Sequence, residues 1–171
     1  EEGIIMNKLQ KVFIFSDGSC RSIPYSKGGY GTIVEKYNDN GDRVYCEEFM
    51  EAFSNTTNNR MELMGVIAGV ESIRQPSDLH IYSDSQYIVK AFNDDWIENW
   101  KKNGWKSASK QDVRNVDLWE RLLDVLEPHH YKFDWIKGHD GHIENERCDF
   151  LASCASSGIK SVKLDGHFVF E

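Results

Sequence analysis

The sequence predicts an α/β fold: a mixed five-stranded sheet, three antiparallel strands followed by parallel strands, flanked by helices. Three observations carry that expectation. The segment Lys11–Phe53 contains three β-prone runs, and "NDNGD" at Asn38–Asp42 between the second and third is strong hairpin chemistry. From Asn58 onward the apolar period changes to that of a helix. Finally, two short apolar runs far apart, "IFSD" at Ile14–Asp17 and "IYSD" at Ile81–Asp84, both break off at Ser-Asp, as strands ending at one site would.

Each element follows from its residues. "KVFIFS" at Lys11–Ser16 is a buried strand stopped by Asp-Gly; Tyr30–Tyr37 and Arg43–Phe53 are the second and third strands. Leu63, Val66, Ile67, Val70 and Ile73 then recur at helical spacing, and Pro76 follows the helix end. Leu79–Ser83 is the fourth strand and Ser85–Asn93 a helix. "DDWIENWKKNG" is a short helix ending at Gly104. Asn115–Leu126 carries the stripe Val116, Trp119, Leu122, Leu123 and Leu126. Tyr131–Ile136 is the fifth strand, and Asn145–Ser157 a helix stopped by Gly158. Alternation of helices and strands after a meander is the mark of a mixed sheet covered by helices.

The 171 residues suit one compact domain, with 40% hydrophobic and 28% charged residues. Its expected limits are residues 11–157, with an extension at 1–10 and a tail at 158–171. No apolar run approaches the roughly 20 residues that span a bilayer. Four cysteines without a CxxC pattern fit reduced thiols, so a cytoplasmic location is expected. A net charge of −8 argues against broad nonspecific binding of nucleic acid. Against that background Trp96–Arg114 is locally basic, with Lys101, Lys102, Lys106, Lys110 and Arg114 facing only Glu98 and Asp112.

Four carboxylates are candidates for chemistry: Asp17, Glu62, Asp84 and Asp149. Each has a plainer role open to it. Asp17 could start a turn, Glu62 could close a capping box with Asn59, Asp84 could cap a helix, and Asp149 could be a solvated charge. Jointly they say more. If the first and fourth strands lie side by side and parallel, their carboxyl ends meet where α/β sheets bind ligands. Converging carboxylates without Lys or Arg partners repel one another, and a hard divalent cation relieves that repulsion. All-oxygen ligands suit Mg²⁺ or Mn²⁺, and two such ions roughly 3.5–4 Å apart serve phosphodiester hydrolysis. His139, on a loop between Gly138 and Gly141, suits a mobile proton carrier. A zinc site from His139, His142 and Cys148 is a weak competitor, since the spacing matches no common zinc pattern.

These residues together resemble type 1 ribonuclease H of the bacterial kind. The matching stretches are "DGS" at Asp17–Ser19, "GGYG" at Gly28–Gly31, "TTNNRMELM" at Thr56–Met64 and "SDSQY" at Ser83–Tyr87. They continue with "WIENWKKNGWK" at Trp96–Lys106, "NVDLWERL" at Asn115–Leu122 and "KGHDGHIENERCDFLA" at Lys137–Ala152. The resemblance implies the ribonuclease H-like fold with a basic handle, and endonucleolytic hydrolysis of the RNA strand of RNA–DNA hybrids. It implies two-metal-ion catalysis leaving 5′-phosphate and 3′-hydroxyl ends. Catalytic residues would be Asp17, Glu62, Asp84, His139 and Asp149, the four acids being the metal ligands. The expected partner is the hybrid, met by a monomer.

The resemblance also implies a division of labour on the substrate. Cys20, Asn58, Asn59 and Gln86 match positions that contact the hybrid's minor groove and RNA. Thr57 and Asn115 match the DNA phosphate pocket. Tyr87, Trp96 and Trp100 match the DNA channel, and Lys101, Lys102 and Lys106 the handle. Amides both donate and accept, as reading 2′-hydroxyls requires, and Trp with Lys suits stacking plus phosphate attraction. Trp105 and Trp119 are assigned to packing. Two departures stand out: the loop "RSIPYSKGG" at Arg21–Gly29 replaces the usual Asn-Pro-Gly-like run, and Asn55 stands where the family often has Arg. Other nucleases of the same fold lack the Asn-Asn, Ser-Asp-Ser-Gln and handle combination. A noncatalytic hybrid-binding module would not need the complete acidic set.

Overall fold

The computed structural model of the chain describes residues 8–21 and 27–158. Its elements are β1 (Gln10–Cys20), β2 (Gly28–Tyr37), β3 (Arg43–Phe53), α1 (Asn58–Glu71), β4 (Ser77–Ser83), α2 (Gln86–Asn93), α3 (Trp96–Lys102), α4 (Val116–Leu126), β5 (His130–Trp135) and α5 (Ile143–Ser156). One five-stranded sheet has the order β3-β2-β1-β4-β5. β1, β2 and β3 pair antiparallel. β4 joins β1 in parallel, and β5 joins β4 in parallel. The expected mixed sheet is therefore present.

The alternation of side chains along β1 assigns its two faces. Val12 and Ile14 enter the main core with Leu63, Val66, Ile67 and Val70 of α1 and with Trp119, Leu122 and Leu126 of α4. Phe15 turns to the other face and packs with Ile33 and with Cys148 of α5. Asp17 lies two residues beyond Phe15, so β1 delivers it to the face that α5 covers.

The element ends differ from the sequence expectation in informative places. β1 does not stop at Asp-Gly. It runs through to Cys20, because Asp17–Cys20 pair with Gly31–Gly28 of β2. Turn propensity yields there to a ladder partner supplied by tertiary structure. β4 begins at Ser77, whose backbone N–H donates to His129 Nδ1 at 3.1 Å. In α4 the buried arc is Leu118, Trp119, Leu122 and Leu126, while Val116 and Leu123 are half-buried. The stripe is thus rotated by a fraction of a turn from the one expected. The sequence-based tail at 158–171 lies outside the described residues from 159 onward.

Close approach of α1 to β1 depends on glycine. A Cβ on Gly18 would sit 2.5 Å from the Glu62 backbone nitrogen and 2.8 Å from the Met61 carbonyl carbon. Gly65 and Gly69 face Ser16 and Ile14 in the same tight manner. Gly18→Ala is expected to cost about 1–3 kcal/mol in urea unfolding, the usual price of overpacking. It should also weaken binding of a divalent cation in calorimetry, because the backbone displaced is that of Glu62. Unchanged stability would show that α1 has slack here.

Candidate active site

The register of β1 with β4 assembles the site. Ser16 pairs with Ser83, so the next residues, Asp17 and Asp84, leave the ends of neighbouring parallel strands together. Glu62 comes from the first turns of α1. One carboxylate oxygen from each of Asp17, Glu62 and Asp84 lies within 4.8 Å of the other two. Asp149, half-buried on α5, stands outside that trio, yet its charge raises the pKa of both Asp17 and Asp84.

The plainer roles open to these acids are filled by other residues. The N-cap of α1 is Thr57, whose hydroxyl accepts from the Arg60 N–H at 3.2 Å, so Asn58, Asn59 and Glu62 are not capping residues. The N-cap of α2 is Ser85, whose hydroxyl accepts from the Ile88 N–H, which releases Asp84 from capping. Asp17 lies inside a strand, where the adjacent Gly18 N–H donates to its Oδ1 at 2.9 Å and its carboxyl meets that of Glu62.

The electrostatics is that of a site in want of positive charge. Glu62 is 5% exposed, and its Oε2 has no hydrogen-bond partner among the described residues. Burial first, then the charges of Asp17 and Asp84, push its pKa well up. Burial, then Asp84, raises Asp17 from 3.8 to about 7. Burial and the neighbouring charges thus favour the protonated form of Glu62, whose carboxyl is hydrogen-bonded with that of Asp17. An orphaned buried carboxylate oxygen within a trio of acids is the donor set of a hard, oxygen-loving cation, so the residues fit a divalent metal.

Asp84 is fixed more firmly than the sequence suggested. The Trp135 indole donates to its carbonyl at 3.1 Å. Burial raises the Asp84 carboxyl, and a hydrogen bond from the Asn145 side chain opposes that. Asn145, 3% exposed, was not singled out from the sequence. A signal existed: it shares the inward face of α5 with Cys148 and Ala152 at i, i+3 and i+7, an amide on an otherwise apolar stripe. Gly138 was missed similarly; a Cβ there would lie 2.7 Å from Asp84 Oδ2.

His139 is exposed on the loop after β5 with a left-handed backbone, φ 53°, and its charge acts on Asp84. The zinc alternative fails. His142 caps α5, its Nδ1 accepting from the Asn145 N–H, and Cys148 is sealed in the α5–sheet core. Among the described residues no group of ligands joins His139, His142 and Cys148.

The other candidate residues lie around this centre. Asn58, Asn59 and Gln86 are exposed at the starts of α1 and α2, and Cys20 is half-buried at the end of β1. Residues 22–26 of the altered loop lie outside the described residues. Thr57 is exposed, while Asn115 is half-buried with φ 62° just before α4. Tyr87 accepts from Asn115 Nδ2 at 3.2 Å and from Trp119 Nε1 at 3.1 Å. Trp96 and Trp100 are half-buried against the core, with Trp100 5.6 Å from the Trp119 ring. Lys101 approaches Glu98 at 3.9 Å and Lys106 pairs with Asp112, so acids temper part of the handle's charge. Lys102 is exposed. No helix among the described residues is long and apolar enough to cross a membrane.

A mixed sheet that presents clustered acids at the ends of two adjacent parallel strands has the donor set that metal-dependent nucleases use. The family model for RNase H matches residues 9–157. A ribonuclease H of Lachnoclostridium phytofermentans is 49% identical over 148 residues, covering 86% of this chain and 93% of that protein. A ribonuclease H of Escherichia coli O127:H6 is 47% identical over 148 residues, covering 86% and 90%. The crystal structure of LC9-RNase H1, a type 1 RNase H with the type 2 active-site motif, superposes with a TM-score of 0.78 at 30% identity, covering 88% of this chain and 74% of that one. The chain belongs to the ribonuclease H family, and it is a hydrolytic nuclease.

The Asp17 shift sets a pH signature. Its folded pKa lies above the ordinary 3.8, so its contribution favours the fold at low pH and is lost as pH rises through about 7. In metal-free protein, Asp17→Asn should therefore melt at least about 3 °C higher than wild type near pH 8. The gap should close towards pH 4. A wild type that melts higher near pH 8 would mean that the fold itself neutralises Asp17.

Proposed function

We propose that the protein cleaves the RNA strand of RNA–DNA hybrids internally, leaving 5′-phosphate and 3′-hydroxyl ends. The observation that carries this reading is the uncompensated trio Asp17, Glu62 and Asp84 at the paired ends of β1 and β4. Asp149 completes the set from α5. These residues would hold two divalent cations, Mg²⁺ or Mn²⁺, which when bound supply Lewis-acid activation of water and charge neutralisation at a phosphodiester.

The chain's own residues do the remaining work. Asp17 and Glu62, whose carboxyls burial drives towards the protonated form, would ionise to take up the cation. Asn145 holds Asp84 in its ligating orientation. His139, on an exposed loop beside Asp84, accepts or returns a proton at its imidazole, so its loss slows turnover without abolishing it.

Substrate recognition divides between the strands. Cys20 through its backbone, Asn58, Asn59 and Gln86 would meet the RNA and the wide minor groove, where 2′-hydroxyls mark RNA. Thr57 and Asn115 would take a DNA phosphate. Tyr87, Trp96 and Trp100 would line the DNA channel, and Lys101, Lys102 and Lys106 would attract the backbone. A monomer in the cytoplasm is the working state we assign.

A strand-labelled hybrid tests this directly. With Mg²⁺ or Mn²⁺ the RNA should be cut and the DNA left whole; EDTA should stop the reaction. Asp17→Asn should fold and lose at least about 100-fold in rate, the order seen when a charge-stabilising catalytic group is lost. Equal cutting of double-stranded DNA would sink hybrid specificity. For the handle, replacing Lys101, Lys102 and Lys106 together by Ala should raise KM and flatten its salt dependence. KM that tracks wild type across salt concentrations would make the handle ordinary surface.

A further inference from the structure

We propose that Arg60 is a positioning residue for the grip on the DNA strand, holding Thr57 and Asn115 so that each keeps a hydrogen-bond donor for a phosphate oxygen. This rests on the reading of Thr57 and Asn115 as the DNA phosphate pocket. Arg60 lies on α1 and reaches across to the start of α4. Its Nη1 and Nη2 donate to the two Asp117 carboxylate oxygens at 3.0 and 2.8 Å, a two-pronged ion pair. The same Nη1 donates to Asn115 Oδ1 at 3.3 Å. An Nη group carries two hydrogens, so both bonds are available to it.

Donor bookkeeping then fixes Asn115. The guanidinium only donates, so it faces the amide oxygen. The Trp119 indole also only donates, so the Tyr87 hydroxyl oxygen accepts from it and accepts again from Asn115 Nδ2. A flipped amide would set NH₂ against the guanidinium and lose the Arg60 bond, keeping only a contact in which the Tyr87 hydroxyl donates to the amide oxygen. Asn115 Nδ2 has two hydrogens and spends one on Tyr87, which leaves the other to donate. Trp119 is fully buried, so the chain of bonds is anchored in the core.

Thr57 is set in the same sense by the Arg60 backbone. Its hydroxyl oxygen accepts from the Arg60 N–H, which leaves the hydroxyl proton to donate elsewhere. One residue thus gives both pocket members the polarity a phosphate needs. Arg60 does not supply the charge itself, because Asp117 neutralises it across the two-pronged pair. Asn55, with a left-handed backbone at φ 52°, brings no charge either. A pocket of neutral donors depends on their orientation more than one built around a cation.

The test is steady-state cleavage of an RNA–DNA hybrid by wild type, Arg60→Gln, Arg60→Lys, Asn115→Ala and the Arg60→Gln/Asn115→Ala double variant, with melting temperatures measured alongside. Arg60→Gln and Arg60→Lys should each raise KM about five- to tenfold, the loss of about one ordinary hydrogen bond because the freed amide is misdirected rather than removed, with kcat retained. Lysine should not rescue, since a point charge cannot hold Asp117 and Asn115 together. In the Asn115→Ala background, Arg60→Gln should add less than about twofold. Rescue by lysine, or additive effects, would show Arg60 gripping the strand itself and overturn the proposal. A lowered melting temperature with wild-type KM would reduce it to a clamp between helices and overturn it as well. Wild-type KM in Asn115→Ala would instead remove the pocket reading, and the proposal with it. Should Arg60→Gln not fold, the isosteric Asp117→Asn carries the test: a raised KM that vanishes in the Asn115→Ala background supports it, and an unchanged KM overturns it.

Discussion

Repulsion between carboxylates is the constraint on which the site depends. The pairing of Ser16 with Ser83 places Asp17 and Asp84 side by side, and α1 adds Glu62 to the same spot. A fold gains nothing from burying three acids together; burial and mutual repulsion push the protons back onto them. The cluster is tolerable because the rest of the domain is secure. Val12, Ile14, Leu63, Leu79, Ile81, Trp119 and Leu122 form one continuous buried core beneath it. Stability made elsewhere holds the acids in a geometry that favours the metal-bound state.

Much of the local architecture serves to keep competing partners away from those acids. Thr57 and Ser85 take the capping work that Asn59, Glu62 and Asp84 would otherwise have done. Gly18 lets the backbone of α1 come within reach of β1, and Gly138 lets the His139 loop close on Asp84. Asn145 stabilises the ionised form of Asp84 without adding charge. Around the rim, Arg60 is spent on Asp117, and Arg121 on Glu71. Neither guanidinium is left to neutralise the acid trio.

The same economy shapes the substrate side. Tyr87 and Trp100, which we propose meet the DNA strand, are packing residues as well, each tied to the buried Trp119 by ring contacts or a hydrogen bond. Lys106 spends its charge locally on Asp112. On the proposed reading, a surface that reads shape and backbone needs rigid donors and stacked rings more than free cations, which agrees with the acidic net charge of −8.

By itself the sequence determined the type and order of the elements, because hydrophobic period, the "NDNGD" turn and the proline after the first helix act over a few residues. It also marked Asp17, Glu62, Asp84 and Asp149 as one group, because two apolar runs ending alike imply strands ending alike; of these, Asp17, Glu62 and Asp84 come together and Asp149 stands outside the trio. It could not set the limits of β1, where ladder pairing with Gly28–Gly31 overrides Asp-Gly turn chemistry. Nor could it rotate the stripe of α4 correctly, reveal Asn145 beside Asp84, or show that His142 caps α5 and so is not available to a zinc site with His139 and Cys148. Those outcomes depend on what lies across the sheet, tens of residues away in the chain. Which carboxylate ends up unpartnered, and which amide ends up turned to donate, is decided by neighbours that only the tertiary structure brings together.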